Sequence, residues 1–197
     1  MEGKGMLIVV SGLSGAGKGT LCNLMLEQFD DLCLSISATT RKPRVGEING
    51  TNYFFTDKED FEQRIEQKEF LEWAKVYNNY YGAPKSFVEQ QTKDGKDVIL
   101  EIDIQGALQI KEQRPEGVFI FILPPNIQEQ EKRIIRRGSE TDESVKLRLK
   151  CAQEELNAAL SYDYIVVNQD LEEAAEKLRS IIIAERCKTS RNYHLID

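Results

Sequence analysis

Histidine is nearly missing from this 197-residue chain; the one present, His194, sits in the polar tail. A Ser-His-Asp triad, a histidine general acid and a histidine metal cage are therefore excluded. Cysteine is scarce as well. Cys22, Cys33, Cys151 and Cys187 show no CxxC spacing, so neither a zinc site nor a disulfide framework is expected, and free thiols in a reducing cytoplasm are. Long hydrophobic runs are absent: Met6-Leu7-Ile8-Val9-Val10 is far too short to cross a bilayer. The N-terminus, with Glu2 and Lys4 ahead of that run, lacks the h-region of a signal peptide. Positive charge is in deficit. A net charge of −7 and a pI near 5.0 argue against a partner held by bulk positive charge, whether nucleic acid or an anionic membrane. A small anionic substrate stays open, because a local group of arginines can oppose the global sign. The chain shows no internal repeat and no low-complexity segment.

What is present suits one compact unit with small insertions. Hydrophobic residues make up 41% of the chain, enough for a core, and the 30% that are charged are spread throughout. Strands and helices alternate. Met6–Val10 reads as a strand buried on both faces, and Leu21, Leu24, Met25 and Phe29 follow at helical spacing. Val98–Asp103 is a second buried run, leading into a helix over Gln105–Gln113. Val118–Leu123 is a third, stopped by Pro124-Pro125, and Tyr164–Val167 a fourth. A closing helix has Asp170 as N-cap, Glu173 three residues on, and Leu171, Ala174, Leu178, Ile181 and Ile182 on one face. This rhythm predicts an α/β fold, a parallel sheet core flanked by helices. Two stretches break it. Residues 35–83, with strand-like Tyr53-Phe54-Phe55, read as an inserted subdomain, and the charged helical stretch 126–157, interrupted at Arg136-Arg137-Gly138-Ser139, reads as a flap. The core is then 1–34, 84–125 and 158–197.

The strongest local signal is Gly12-Leu13-Ser14-Gly15-Ala16-Gly17-Lys18-Gly19-Thr20, set between a buried strand and an amphipathic helix. Glycines let the backbone curl so that successive N–H groups face phosphate oxygens, the helix start adds partial positive charge, and Lys18 reaches the β- and γ-phosphates. The hydroxyl expected directly after the lysine is replaced by Gly19 and comes one residue later, at Thr20. Mg²⁺ is therefore expected to be held mainly by nucleotide and water, with Thr20 and Asp103 as candidate protein ligands. Asp103, closing a buried strand, is placed as a Walker-B carboxylate, with Glu101 facing the same side. Ser37-Ala38-Thr39-Thr40-Arg41-Lys42-Pro43-Arg44 concentrates guanidinium groups that suit phosphate. Arg133, Arg136, Arg137 and Arg148 gather on the flap, where a charge-neutralising lid needs them. A nucleoside monophosphate requires no strong base to act as acceptor, since its phosphate, with a second pKa of about 6, is already anionic at neutral pH. Positioning and charge stabilisation are sufficient in kind.

Taken together, these stretches resemble the guanylate kinase family in its stand-alone, bacterial-like form, over nearly the whole chain. The resemblance is carried by Ser37–Glu47 with Asn49-Gly50 and Tyr53, by Glu69-Phe70-Leu71-Glu72-Trp73, by Tyr80-Tyr81-Gly82, by Asp103-Ile104-Gln105-Gly106, and by Tyr162–Asn168. It implies a P-loop nucleoside monophosphate kinase fold with a GMP-binding insert and a helical lid. It further implies transfer of the γ-phosphate of ATP to GMP, with dGMP a second candidate acceptor, in purine nucleotide metabolism in the cytoplasm. Arg41, Arg44, Tyr53 and Tyr81 are implied to hold the GMP phosphate, and Glu72, helped by Ser37, to accept hydrogen bonds from guanine N1–H and the 2-amino group. Glu47, Glu101 and Asp103 are grouped with them in the GMP site. Lys18, Arg41, Arg137 and Arg148 are the implied catalytic set. ATP falls to the loop residues from Gly12 to Thr20, to Arg133 and Arg137, and to Asn168 near the adenine. Two positions depart from the pattern: Ala83 stands where a Ser or Thr is usual, removing one contact to the base, and the Gly19-Thr20 order is similar to that of adenylate kinases.

Two other readings compete. Guanylate-kinase-like domains also act as non-catalytic scaffolding modules, but those typically lack an intact phosphate loop. A kinase of the same fold acting on another phosphorylated small molecule is opposed by Glu72 and the 37–53 insert, which serve a guanine. Monomer and homodimer are not separated by sequence.

Overall fold

The computed structural model describes residues 4–76, 78–136 and 155–193. Arg137, Arg148, the break at Gly138-Ser139, Cys151 and His194 lie outside them. In chain order the strands are β1 Leu7–Gly12, β2 Leu32–Leu34, β3 Ala38–Thr39, β4 Phe54–Phe55, β5 Phe70–Val76, β6 Asn79–Pro84, β7 Asp97–Glu101, β8 Val118–Leu123 and β9 Tyr164–Val167. The helices are α1 Lys18–Gln28, α2 Lys58–Glu66, α3 Lys85–Lys93, α4 Ile104–Gln113, α5 Ile127–Arg136, α6 Leu171–Arg186 and α7 Thr189–Asn192.

The chain forms two compact units that share β1: one is built on Val10–Asp30 and Val118–Asp197, the other on Lys4–Val9 and Asp31–Gly117. In the first, the strand order is β1-β8-β9, with β9 parallel to β8, and α1 packs against α6. Its core holds Val10, Leu21, Met25, Phe119, Phe121, Leu178 and Ile182, all at 2% exposure or less. Arg186 lies over the Phe29 ring.

In the second unit, β2, β7 and β1 adjoin in that order, β2 parallel to β7. The buried carboxylate of Asp97 accepts the Met6 N–H at 2.6 Å, tying the entry of β1 to the start of β7. The same unit carries a second sheet, β4-β3-β6-β5, in which β3 and β5 run antiparallel to β6 and β4 lies parallel to β3. Aromatics hold this sheet to α2. Phe61 stacks on Phe70 at 4.4 Å and on Tyr80 at 5.3 Å, with Ala38 and Ile65 completing the cluster. Asp57 caps α2 by accepting the Asp60 N–H.

Three expectations need correction. Strand β7 stops at Glu101, and Asp103 is the N-cap of α4, accepting the Gly106 N–H at 2.9 Å. A short carboxylate satisfies an orphan helix donor better than it continues a ladder. Strand β9 is apolar but covered on one face only: Val166 is 1% exposed, Ile165 52% and Val167 41%. On α6, Leu171 is exposed, while Glu185 is buried because Tyr164 Oη, Lys188 Nζ and Arg191 Nη2 supply its partners.

Candidate active site

The first unit holds the phosphate loop. Between β1 and α1 the chain bends so that the Ala16 N–H donates to the Leu13 carbonyl at 3.1 Å. Gly17 sits at φ 88 as the N-cap of α1, and any Cβ there meets the Asn168 amide, so both backbone and space require glycine. Lys18 folds its ammonium onto its own loop, donating to the carbonyls of Gly12 at 2.8 Å and Leu13 at 3.1 Å. Gly15 and Ala16 are buried, Ser14, Gly17, Lys18 and Gly19 partly so, and Thr20 is exposed at the first turn of α1. Asn168 reaches the loop itself, its Nδ2 donating to the Ala16 carbonyl at 2.8 Å. Arg133 pairs with Glu129 one turn back and donates from Nη1 to the Asn168 carbonyl at 3.1 Å. Gln130, which sequence reasoning passed over, donates from Nε2 to the Ser14 carbonyl at 3.1 Å. Its lone signal in the sequence is a polar residue at a core position of an amphipathic helix.

The second unit gathers the arginine segment. Arg41 forms a two-pronged ion pair with Glu47, Nη2 to Oε1 at 2.9 Å and Nη1 to Oε2 at 3.0 Å. Glu47 also accepts the Arg44 N–H at 2.7 Å. One carboxylate thus sets the guanidinium and the backbone of the next arginine together. The guanidinium lies 5.3 Å from the centre of the Tyr53 ring, and Tyr53 meets Tyr81 edge-on at 5.9 Å. Burial is the largest single influence and opposes the charge of Arg41, but the hydrogen bonds and charges of Glu47 and Tyr81 together outweigh it and the pKa moves up. Burial, with Glu101 nearby, pushes the Tyr53 hydroxyl up to about 12, so it remains a hydrogen-bond donor at working pH.

In the same unit, β5 carries a bulge. Phe70 pairs with Pro84 and Glu72 with Ala83, which leaves Leu71 unmatched. The bulge turns Glu72 inward, where it is 4% exposed. Its Oε1 accepts the Ala83 N–H at 3.1 Å, and its Oε2 lies against the Cα of Gly106, where a Cβ would overlap it. The link to residue 83 is through backbone, so the missing hydroxyl at Ala83 leaves it intact. Burial first, then the charge of Asp103, pushes the Glu72 carboxyl up to about 8, against the lowering effect of the Ala83 N–H. Ser37 is buried, while Glu101 and Asp103 are half-exposed at the end of β7 and the start of α4.

A glycine-bent phosphate loop between a buried strand and an α-helix, on a parallel sheet, defines an α/β P-loop fold that binds nucleotide phosphates. The guanylate kinase family profile matches residues 4–185. A guanylate kinase of Caldanaerobacter subterraneus subsp. tengcongensis is 57% identical over 192 residues, 98% of this chain and 93% of the relative. One from Clostridium perfringens strain 13 is 57% identical over 190 residues, covering 96% and 88%. The crystal structure of guanylate kinase from Anaplasma phagocytophilum superposes with a TM-score of 0.82 at 36% identity, covering 96% of this chain and 90% of that one. The chain belongs to the guanylate kinase family.

Proposed function

We infer that this chain transfers the γ-phosphate of ATP to GMP, giving ADP and GDP, and accepts dGMP, which carries the same base and phosphate. One observation carries the reading most directly. Glu72 is a buried carboxylate with one backbone N–H as its hydrogen-bond partner and, among the described residues, no cation. Such a group is costly in isolation and becomes favourable when a ligand brings two adjacent donors. Guanine N1–H and its 2-amino group are such a pair; adenine and the pyrimidines lack it.

The remaining roles are those that resemblance to the family implies. Arg41, Arg44, Tyr53 and Tyr81 hold the GMP phosphate, and Glu47 serves them by orienting Arg41. Ser37, Glu101 and Asp103 complete the acceptor site. The loop from Gly12 to Thr20 cradles the ATP phosphates, and Lys18 leaves its loop carbonyls for the β- and γ-phosphates. Arg133 and Asn168 support the loop from behind. Arg137 and Arg148, outside the described residues, are assigned to the transferring phosphoryl group by resemblance. In the reaction an oxygen of the GMP phosphate bonds to the γ-phosphorus of ATP. The bond to the β,γ-bridging oxygen breaks, and ADP departs with its electron pair.

Mg²⁺ accompanies ATP in this reading. Among the described residues no three His, Cys, Asp or Glu side chains gather into a metal cage. The ion is assigned chiefly to phosphate oxygens and water, with Thr20 and Asp103 as the candidate protein ligands. When bound, the ion spreads the charge of the transferring group. No helix among the described residues is long and apolar enough to cross a membrane.

The test is ADP production from ATP and Mg²⁺ with GMP, dGMP, AMP, CMP and UMP offered separately. Turnover with the guanine nucleotides alone is expected. Turnover with another base moves the substrate, and none at all returns the scaffold reading.

A further inference from the structure

A phosphate loop works when its peptide N–H groups turn toward the ligand. In a trans peptide the N–H and C=O point in opposite directions. A contact that holds one loop carbonyl outward therefore aims the next residue's N–H inward. Two side-chain amides do this here. Asn168 Nδ2 holds the Ala16 carbonyl at 2.8 Å, which fixes the Gly17 N–H. Gln130 Nε2 holds the Ser14 carbonyl at 3.1 Å, which fixes the Gly15 N–H. Gly15 and Gly17 have φ of 80 and 88, so alternate peptides of the loop are clamped from outside.

Gln130 is not accounted for by packing. It is 1% exposed, and its Oε1 has no partner among the described residues. Burying a primary amide with its acceptor unused is unfavourable, and an aliphatic side chain of like volume fills the space without that cost. The bond that Gln130 does make goes to the loop. Its helix is fixed to the same network one turn on, through Arg133 and the Asn168 carbonyl at 3.1 Å.

We propose that Gln130 is a positioning residue for the phosphoryl donor, clamping the Ser14–Gly15 peptide so that the Gly15 N–H faces the phosphates of bound ATP. It touches neither substrate; it acts through the loop. The assignment rests on the reading of that loop as the ATP site.

The experiment is steady-state kinetics of the full chain, varying ATP and GMP in turn, for wild type, Gln130→Met and Gln130→Glu. Methionine keeps length and volume but cannot donate. Its KM for ATP is expected to rise roughly tenfold, the scale of one charge-assisted hydrogen bond. KM for GMP stays within about twofold, and the melting midpoint does not fall, because the unpaired buried oxygen is gone as well. Glutamate sets an acceptor against the Ser14 carbonyl. Its ATP defect, as a ratio to wild type, is expected to shrink as pH falls and the buried acid regains a proton to donate. An unchanged ATP KM in Gln130→Met overturns the proposal while the wild type remains active, as does an equal rise in both KM values. A wild type that makes no ADP with GMP overturns the ATP-site reading, and the proposal with it.

Discussion

In the proposed function, Glu72 concentrates base recognition in one side chain. Its carboxyl is pushed up to about 8 by burial and by Asp103 at the start of α4, while the Ala83 N–H from β6 pulls the other way. In the ligand-free protein it is therefore largely neutral at pH 7, yet guanine needs the carboxylate. GMP binding is expected to release a proton, and GMP affinity to rise about eightfold between pH 7 and 8.5. That window lies above the second pKa of the GMP phosphate, about 6. Calorimetry in buffers of different ionisation enthalpy reads the proton directly, and a flat affinity across the window contradicts the assignment. The sign for stability is opposite. Unfolded, this carboxyl ionises near 4.5, whereas in the fold it stays protonated to about 8. Its contribution is thus undiminished below 4.5 and declines as pH rises to about 8. Glu72→Gln removes this slope and weakens GMP roughly 10²-fold while sparing ATP. Gly106 supplies a second test, since a Cβ there overlaps Glu72 Oε2. Gly106→Ala is expected to raise KM for GMP at least about tenfold with KM for ATP within twofold; equal kinetics for both substrates would show that Glu72 has room to move.

At the scale of elements, what was legible in the sequence was what periodicity and caps record. Asp170 was readable as the start of α6, and it does accept the Glu173 N–H at 3.0 Å. Asp170→Ala is expected to lower unfolding free energy by about 1 kcal/mol with both KM values unchanged, as read from urea denaturation and steady-state kinetics. A fall in activity beyond the stability loss would give the cap a further role. Val118–Leu123 and the loop before α1 were legible for the same reason: a buried run and a glycine cluster each state their local conformation. The bulge in β5 was not. Whether Leu71 is paired or skipped depends on register against β6, which is set by tertiary packing and leaves no local mark. Glu72 could be named from motif resemblance, but the geometry that buries it could not. The break between β7 and α4 was misplaced by two residues, because apolar Ile102 continues the pattern of β7 while Asp103 already caps the helix. Gln130 and Glu185 were passed over because a buried polar side chain is identified by its partners, and those lie elsewhere in the chain.

For the molecule as a whole, the net charge of −7 opposes two anionic substrates, so binding must come from local groups that the total conceals. Those groups fall in different units of the chain. Lys18 belongs to the unit built on Val10–Asp30 and Val118–Asp197, whereas Arg41, Arg44, Tyr53, Glu72 and Tyr81 belong to Asp31–Gly117. Catalysis and acceptor binding should therefore separate on mutation. In Lys18→Ala the ammonium proposed to reach the β- and γ-phosphates is gone, and kcat is expected to fall by about 10²–10³-fold or more. The Arg41–Glu47 pair and the Glu72–Ala83 hydrogen bond on the acceptor side do not involve Lys18. GMP at 100 times its Kd stabilises a protein by about 2.7 kcal/mol, which for a chain of this length raises the melting midpoint by roughly 5–10 °C. The same rise, to within about 1 °C, is expected for Lys18→Ala and wild type in GMP alone. If the variant loses the GMP shift together with turnover, the lysine serves the acceptor site as well as the donor, and the division of labour between the two units is wrong.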